Sequence, residues 1–162
     1  MQVQELMIRQ VQCCAPDDTL EQAAQLMWDR DCGSLPVCAP ADGASDAIGV
    51  ITDRDICMCA LFEHRTLAEL RVSQAMAKKV LTCELSDSIE KAESLMRSGR
   101  VRRLLVTDPQ GHLAGMISLA DLARRAAQER GSARQETISE SEVGRVLAAI
   151  VTPQGQSSSL SA

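Results

Sequence analysis

The chain has 162 residues, 45% of them apolar, which is enough for one or two compact units that bury roughly 70% of the unfolded surface. Its 17 Lys and Arg against 22 Asp and Glu give a formal net charge of −5, so the chain lacks the basic field of a non-specific nucleic-acid binder. With one Trp, one Phe and no Tyr, it also lacks stacking platforms for single strands. We predict no nucleic-acid partner.

No apolar run reaches the roughly 20 residues of a membrane-spanning helix, and the N-terminus lacks the apolar stretch of a secretory signal. We therefore expect a cytoplasmic protein with no membrane partner. The seven cysteines form an odd set without two paired CxxC units, which argues against a disulfide scaffold and a zinc site. His64 and His112 have no nearby carboxylate or nucleophile of a catalytic set, so the sequence predicts no enzyme.

The strongest signal in the chain is an internal duplication. A shift of 69 positions aligns residues 3–37 with 72–106 without a gap and gives 11 identical pairs in 35 positions. After a loop that is three residues shorter, the segment 49–56 falls on 115–122, where a glycine, a hydroxyl and an acid recur in step. The chain therefore carries two copies of one folding unit.

Each copy predicts the same elements in the same order. A short apolar strand (11–14 or 80–83) leads into acids and hydroxyls that can cap a helix. Two strand-like runs around a turn then predict a hairpin, and a second helix begins near Thr52 or Ser118. Each copy is thus a β-α-β-β-α unit of an α/β (α+β) protein. The first helices have apolar stripes at i, i+3, i+4 and i+7 spacing: Leu20, Ala23, Ala24 and Met27, and Ile89, Ala92 and Met96.

The two copies are joined by a short, polar link from 64 to 73, which predicts that they pack together. We divide the chain into a first copy at 1–65, a second at 72–125 and a C-terminal segment at 126–162. In that segment 139–150 predict a helix and the last ten residues a loose tail. The apolar face of that helix would comprise Val143, Val146, Leu147 and Ile150. Trp28 follows the stripe of its helix, and we expect it to be partly buried within the monomer, with a dimer contact as the alternative.

The duplicated pattern resembles a tandem pair of CBS domains, named after cystathionine β-synthase. The first copy has an LPV strand at 35–37 and a G-x-x-T-x-x-D turn at 49–55, and the second has LLV at 104–106 and G-x-x-S-x-x-D at 115–121. The resemblance covers residues 1 to about 125. It implies two repeats related by a pseudo-twofold axis, a homodimer, and inter-repeat clefts that bind adenosine-containing ligands. With no catalytic or transport sequence attached, the chain is similar to stand-alone bacterial members, which often act as sensors.

The turn residues suit such a ligand on chemical grounds. Thr52 and Ser118 lie where a strand meets a helix N-terminus, a place that favours a phosphate. Asp55 and Asp121, three residues on, can accept hydrogen bonds from two ribose hydroxyls. The alternative is that the hydroxyls are only helix caps and that the acids only complement the helix dipole.

Arginines offer a second set of candidate ligand residues. Arg102 and Arg103 precede the LLV strand of the second copy. The resemblance implies that a basic residue at the position of Arg103 reaches a ligand phosphate. The first copy has Gly33 and Ser34 there, so it would need Arg54 or residues of the other copy, and we expect unequal clefts. The alternatives are a solvated face, a dimer-rim salt bridge, or, for Arg54, pairing with its flanking acids.

With so few aromatic rings, an adenine would be held by aliphatic atoms and by backbone groups of the short strands. Each candidate could equally be ordinary core. The candidates are Val11, Cys13, Val80 and Thr82, with Ile51, Ile117, Leu35 or Pro36 as covers.

Cys13 and Cys38 would lie on neighbouring strands of one CBS repeat, so a redox-dependent disulfide between them is a further hypothesis. The leading hypothesis for the whole chain is a non-catalytic regulatory homodimer that senses AMP, ADP, ATP, NAD(H) or S-adenosylmethionine and acts on an effector protein. The first alternative is a dimerisation adaptor with empty clefts. The second is a redox enzyme or thiol switch built on the two cysteines.

Overall fold

In a computed structural model of the chain, residues 1–39, 46–129 and 138–152 are described. They divide into two compact units. Unit A takes the described residues of 1–7, 86–104 and 117–162, and unit B takes those of 8–85 and 105–116. Each unit therefore contains segments of both sequence copies.

Unit B holds most of the first copy. Its sheet contains a hairpin in which β1 runs antiparallel to β2, with Ser34 opposite Thr52 and an irregularity in register between Val37 and Cys38. The predicted hairpin is confirmed. The elements are α1 (Leu20–Asp29), β1 (Ser34–Cys38), β2 (Ala47–Thr52), α2 (Asp53–Glu63), a 3-10 turn (Leu67–Glu69), α3 (Val72–Ala75) and β3 (Thr82–Glu84).

Unit A holds the helices of the second copy. Its described elements are a 3-10 turn (Val3–Glu5), α4 (Ile89–Gly99), α5 (Leu119–Glu129) and α6 (Glu140–Val151). The strands β4 (Arg103–Thr107) and β5 (Leu113–Ser118) contribute residues to both units. They form a sheet in the order β3-β4-β5, in which β3 is parallel to β4.

The first helix of each copy begins where the sequence predicts. The Thr19 hydroxyl caps α1 by accepting a hydrogen bond from the Gln22 N–H (3.1 Å), and the Ser88 hydroxyl caps α4 by accepting one from the Lys91 N–H (3.3 Å). Such caps satisfy N–H groups that the helix itself leaves unpaired. The predicted stripes are confirmed as core, because Leu20, Ala23, Met27, Ile89, Ala92 and Met96 are all buried, whereas Ala24 is half-buried.

The first strand of each copy lies later in the chain than predicted. In the first copy only Cys14 pairs, through a single parallel bridge to Val37. In the second copy β3 begins at Thr82, not at Val80. A short apolar run indicates burial and does not fix which residues hydrogen-bond to a neighbouring strand.

Within unit B, the last strand of each hairpin pairs with a residue from the beginning of the other copy. Val50 on β2 pairs antiparallel with Ala77, through backbone hydrogen bonds of 3.0 and 2.9 Å. Met116 on β5 pairs in the same way with Ile8, through bonds of 2.8 and 3.0 Å. Ile8 and Ala77 are equivalent under the shift of 69 positions, so the same type of pairing between the copies occurs twice.

The link between the copies is mostly exposed, but two of its apolar residues are buried. Leu70 and Val72 are both 0% exposed, and the Val72 N–H donates to the carbonyl of Asp18 (2.9 Å). In unit A the equivalent bond joins the Val3 N–H to the carbonyl of Asp87 (2.9 Å). The link is thus ordered by backbone pairing to the start of α1.

Two expectations about exposed apolar residues need correction. Trp28 is 84% exposed and not partly buried, because one step of about 100° beyond Met27 carries it off the stripe. The C-terminal helix is confirmed as α6, which packs on α4 and α5, but Leu147 on its predicted apolar face is 43% exposed. The predicted tail lies outside the described residues.

Candidate functional site

The first copy's turn places Thr52 and Asp55 in direct contact at the start of α2. Thr52 is the N-cap, and its hydroxyl accepts from the Asp55 N–H (3.2 Å) and donates to Asp55 Oδ2 (2.7 Å). The same Oδ2 accepts from the Thr52 N–H (2.9 Å), which completes a reciprocal capping box. Asp55 is half-buried, and its Oδ1 has no hydrogen-bond partner among the described residues.

The second copy repeats this geometry at Ser118 and Asp121 in unit A. Asp121 Oδ2 accepts from the Ser118 N–H (2.8 Å) and hydroxyl (2.6 Å), and the Asp121 N–H donates to the Ser118 hydroxyl (3.3 Å). The remaining oxygen differs, because Asp121 is only 4% exposed and its Oδ1 is paired with the guanidinium of Arg124. The capping roles are therefore real in both copies, and one carboxylate oxygen is left over only at Asp55.

Arg124 is a site residue that the sequence analysis did not identify. Arg124 lies three positions after Asp121 on a helix, a spacing that favours an ion pair. The sequence alone could therefore have predicted this contact. The equivalent position of the first copy is Met58, which carries no charge. The two turns are thus alike in backbone and different in electrostatics.

Backbone bonds at the helix starts determine which side chains lie beside them. The Leu119 N–H of α5 donates to the carbonyl of Arg102 (2.9 Å), and the Asp53 N–H of α2 donates to the carbonyl of Gly33 (3.3 Å). Arg102 and Arg103, both exposed, therefore lie beside the N-terminus of α5. At α2 the same positions carry no charge, as the sequence predicts.

The helix starts also differ in the number of N–H groups that remain for an anion. At α2 all four have partners: the N–H groups of Thr52, Arg54 (to Asp53 Oδ1, 2.7 Å) and Asp55 donate within the turn, and that of Asp53 donates to Gly33. At α5 the Ala120 N–H has no partner among the described residues outside its helix. Among the described residues, the start of α5 therefore has an N–H without a partner and two nearby guanidinium groups, which gives it the more positive surroundings.

The other predicted ligand residues differ widely in exposure. Ile51 and Ile117 are 0% exposed, Val11, Cys13 and Val80 are half-buried, and Thr82 and Arg54 are exposed. As contacts of a ligand, these residues stay predictions. Cys13 and Cys38 lie together in unit B, with their Sγ atoms 2.6 Å apart.

Unit B has a surface hollow of about 390 Å³ between α1 and α2. Its lining includes Asp53 but neither Thr52 nor Asp55, so it is distinct from the capping turn. The described ranges contain no cluster of three potential metal ligands. None of the helices in those ranges is both long and apolar enough to cross a bilayer. The lining residues are Ala24, Met27, Trp28, Asp31, Cys32, Gly33, Asp53 and Ile56.

Comparisons with known proteins agree with the duplicated turn. The chain is 35% identical over 126 residues to the CBS domain-containing protein YhcV of Bacillus subtilis. The alignment covers 75% of this chain and 82% of that protein. Several other curated relatives are longer, and the chain spans about a quarter of their length.

Solved structures give the same result. A putative signal-transduction protein with CBS domains from Burkholderia ambifaria is 30% identical, with a TM-score of 0.66 over 78% of this chain and 90% of that one. CBSX2 of Arabidopsis thaliana, solved in complex with AMP, has a TM-score of 0.67 and 24% identity over 80% of this chain and 98% of that one, which shows the shared fold. The CBS domain family matches residues 3–60 and 72–128, and the chain belongs to this family.

Proposed function

We propose that this chain is a regulatory CBS pair that binds an adenosine-containing ligand, such as AMP, ADP, ATP, NAD(H) or S-adenosylmethionine. The observation that carries the proposal is the Thr52–Asp55 turn, in which one carboxylate oxygen anchors the turn and the other has no partner within residues 1–39, 46–129 and 138–152. A held carboxylate with a free oxygen is suited to accept the hydroxyls of a ribose. That CBSX2 has been solved with AMP supports the ligand class.

The two turns have unequal roles in this proposal. Asp55 is ready to accept ribose hydroxyls, whereas Asp121 must first release Arg124. Arg102, Arg103 and the Ala120 N–H favour phosphate at the start of α5. A ligand with little phosphate charge therefore depends most on Asp55, and added phosphates increase the dependence on the two arginines.

Isothermal titration calorimetry of the full chain with AMP, ATP, NAD and S-adenosylmethionine tests the proposal. Asp55→Asn keeps an acceptor for the cap but removes the charge, and hydrogen bonds to charged groups contribute about 1.5–3 kcal/mol, so we expect affinity to fall roughly 10- to 100-fold. Asp53→Asn makes the same charge change one residue after the cap and should bind as wild type, because Asp53 Oδ1 accepts only from the Arg54 N–H in the part of the chain that the structure describes. Absence of binding heat with all four ligands would contradict the proposal.

A second candidate, a ligand-free adaptor, is favoured by exposed apolar side chains on α1 and α2. Trp28, Leu61 and Phe62 are 84%, 56% and 71% exposed, and large exposed apolar groups often mark protein interfaces. We propose that the protein is a cytoplasmic homodimer and that this surface takes part in the contact or in binding an effector protein. Sedimentation velocity of wild type and Trp28→Ala tests the contact. An adaptor would keep its partner in Asp55→Asn, whereas a sensor would lose its ligand response.

A further inference from the structure

Two thiols of the first copy lie against each other in unit B. The Cys14 N–H donates to the carbonyl of Pro36 (3.1 Å), and the Cys38 N–H donates to the carbonyl of Cys14 (3.0 Å). These bonds hold the segment before α1 alongside β1. Side chains alternate along such a pair, so Cys13 and Cys38 share the face opposite Cys14.

The sulfurs are nearly at bonding distance. Cys13 Sγ and Cys38 Sγ are 2.6 Å apart, and a disulfide needs about 2.05 Å. The backbone bonds of Cys14 to Pro36 and Cys38 hold the two segments side by side, so the sulfurs are already close. The two sulfurs are therefore close enough for a disulfide to form between them.

The two thiols are also chemically unequal. The Cys38 S–H donates to Cys13 Sγ, which lowers the pKa of Cys13 and raises the pKa of Cys38, and burial raises the pKa of Cys38 further. Cys13 is half-buried, whereas Cys38 is 7% exposed. A half-buried thiol with a lowered pKa beside a buried thiol with a raised pKa is the arrangement of an attacking and a resolving cysteine.

We propose that Cys13 and Cys38 form a reversible disulfide when the protein meets a peroxide. The Cys13 thiolate attacks one peroxide oxygen and the O–O bond breaks, which leaves a sulfenic acid on Cys13, while the departing oxygen takes up the proton that Cys13 lost and leaves as water or an alcohol. The Cys38 sulfur then attacks the sulfenic sulfur, the S–S bond forms as the S–O bond breaks, and the hydroxyl leaves as water with the proton of the Cys38 thiol. Two thiols are oxidised by two electrons and one peroxide is reduced, and a dithiol reductant reverses the change.

The second copy provides an internal comparison. The positions equivalent to Cys13 and Cys38 are Thr82 and Thr107, which cannot form a crosslink. The neighbouring Cys14 is buried, which raises its pKa to about 12, so it stays a thiol. The modification is therefore confined to the first copy, where the crosslink would close a loop containing α1 and constrain it.

The test is peptide mapping of the full chain after brief peroxide treatment and blocking of free thiols. Trypsin places Cys13 on the peptide 10–30 and Cys38 on the peptide 31–54, so a disulfide joins two separate peptides and lowers their summed mass by two hydrogen atoms. Fragmentation assigns the sulfurs, since each peptide carries a second cysteine. We expect the 13–38 link in wild type and in Cys57→Ser, an exposed-thiol control, and its reversal by dithiothreitol.

The single variants test the order of the two steps. Cys38→Ser should accumulate a sulfenic acid on Cys13 that dimedone traps, whereas Cys13→Ser should leave Cys38 unlabelled. Wild-type protein in which Cys13 and Cys38 both carry the blocking group after peroxide would overturn the proposal. So would a link from either residue to another cysteine. These results come from intact protein without ligand, so they stand or fall independently of adenosine binding.

Discussion

Glu93 on α4 is a buried carboxyl with little to compensate its charge. The residue is 3% exposed, and its Oε1 has no hydrogen-bond partner among the described residues. Burial raises its pKa, and Glu142 and Glu90 raise it further against the opposing effect of Arg97 and Arg145. Because α6 packs on α4 and supplies Glu142 and Arg145, the charge penalises the packing of these two helices.

We predict that Glu93→Gln stabilises the protein at neutral pH. A buried polar group without a partner costs about 1–3 kcal/mol, and more when it is charged. The Gln amide keeps the shape and loses the charge but still needs hydrogen bonds, so we expect a gain of about 1–2 kcal/mol in the free energy of unfolding. For a chain of this size that corresponds to a rise in Tm of roughly 2 to 8 °C.

The pH dependence gives a second, independent signature. Because the pKa of Glu93 is raised above its ordinary value of 4.5, its protonated form stabilises the fold fully below that value. This stabilisation is lost as the pH rises through the folded-state pKa. Urea unfolding of wild type and Glu93→Gln from pH 4.5 to 8 should therefore give curves that nearly meet at the acid end and separate towards neutrality.

Glu69→Gln in unit B serves as a control of opposite sign. The hydrogen bonds from the Thr66 hydroxyl and N–H lower the pKa of Glu69, so its charged form stabilises the fold above the ordinary value and its removal should cost stability at neutral pH. If Glu93→Gln were no more stable than wild type at pH 7, with a parallel pH curve, then Arg97 and Arg145 would have to neutralise Glu93. The argument from burial would then be refuted.

Two further predictions concern backbone sites. A Cβ at Gly49 would lie 2.9 Å from Met76 Sδ, so Gly49→Ala should lower the free energy of unfolding by about 1–3 kcal/mol. A Cβ at Gly144 on α6 would have nothing within 4 Å, so Gly144→Ala should raise it by up to about 1 kcal/mol. Thermal unfolding distinguishes the two variants, and equal Tm changes would contradict the contact at Gly49. Thr52→Ala removes the cap of α2, and Ser118→Ala removes that of α5. Each should lower the free energy of unfolding by about 1 kcal/mol, measured by urea unfolding. A variant that unfolds like wild type would show that the capping box does not stabilise its helix.

Much of the local structure follows from patterns that a single helix or hairpin expresses. The caps at Thr19 and Ser88 and the turn at Thr52 were predictable because hydroxyl and acid side chains satisfy nearby N–H groups, and such contacts span only three residues. The duplication added further information, because the two main helices and the hairpin of one copy predicted their counterparts in the other.

Long-range pairing was not predictable in the same way. The bridge between Val50 and Ala77 and the burial of Leu70 depend on segments that come together only when the copies fold against each other. Hydrophobic periodicity contains no information about which distant strand supplies a hydrogen bond. The exposure of Trp28 has the same origin, because one helical step decides whether a side chain faces the core, and a sequence stripe defines that direction only approximately.

The copies share their backbone and differ at the positions that carry chemistry. The arginines beside α5 correspond to Gly33 and Ser34 beside α2, and the thiols of Cys13 and Cys38 correspond to Thr82 and Thr107. The capping contacts at Thr52 and Ser118 recur in both copies, so these differences are not needed to form the turns. In our proposals, the second copy binds the charged part of a ligand at the start of α5, and the first copy is oxidised at Cys13 and Cys38. In this arrangement ligand charge and redox state would act on different copies of the same pair.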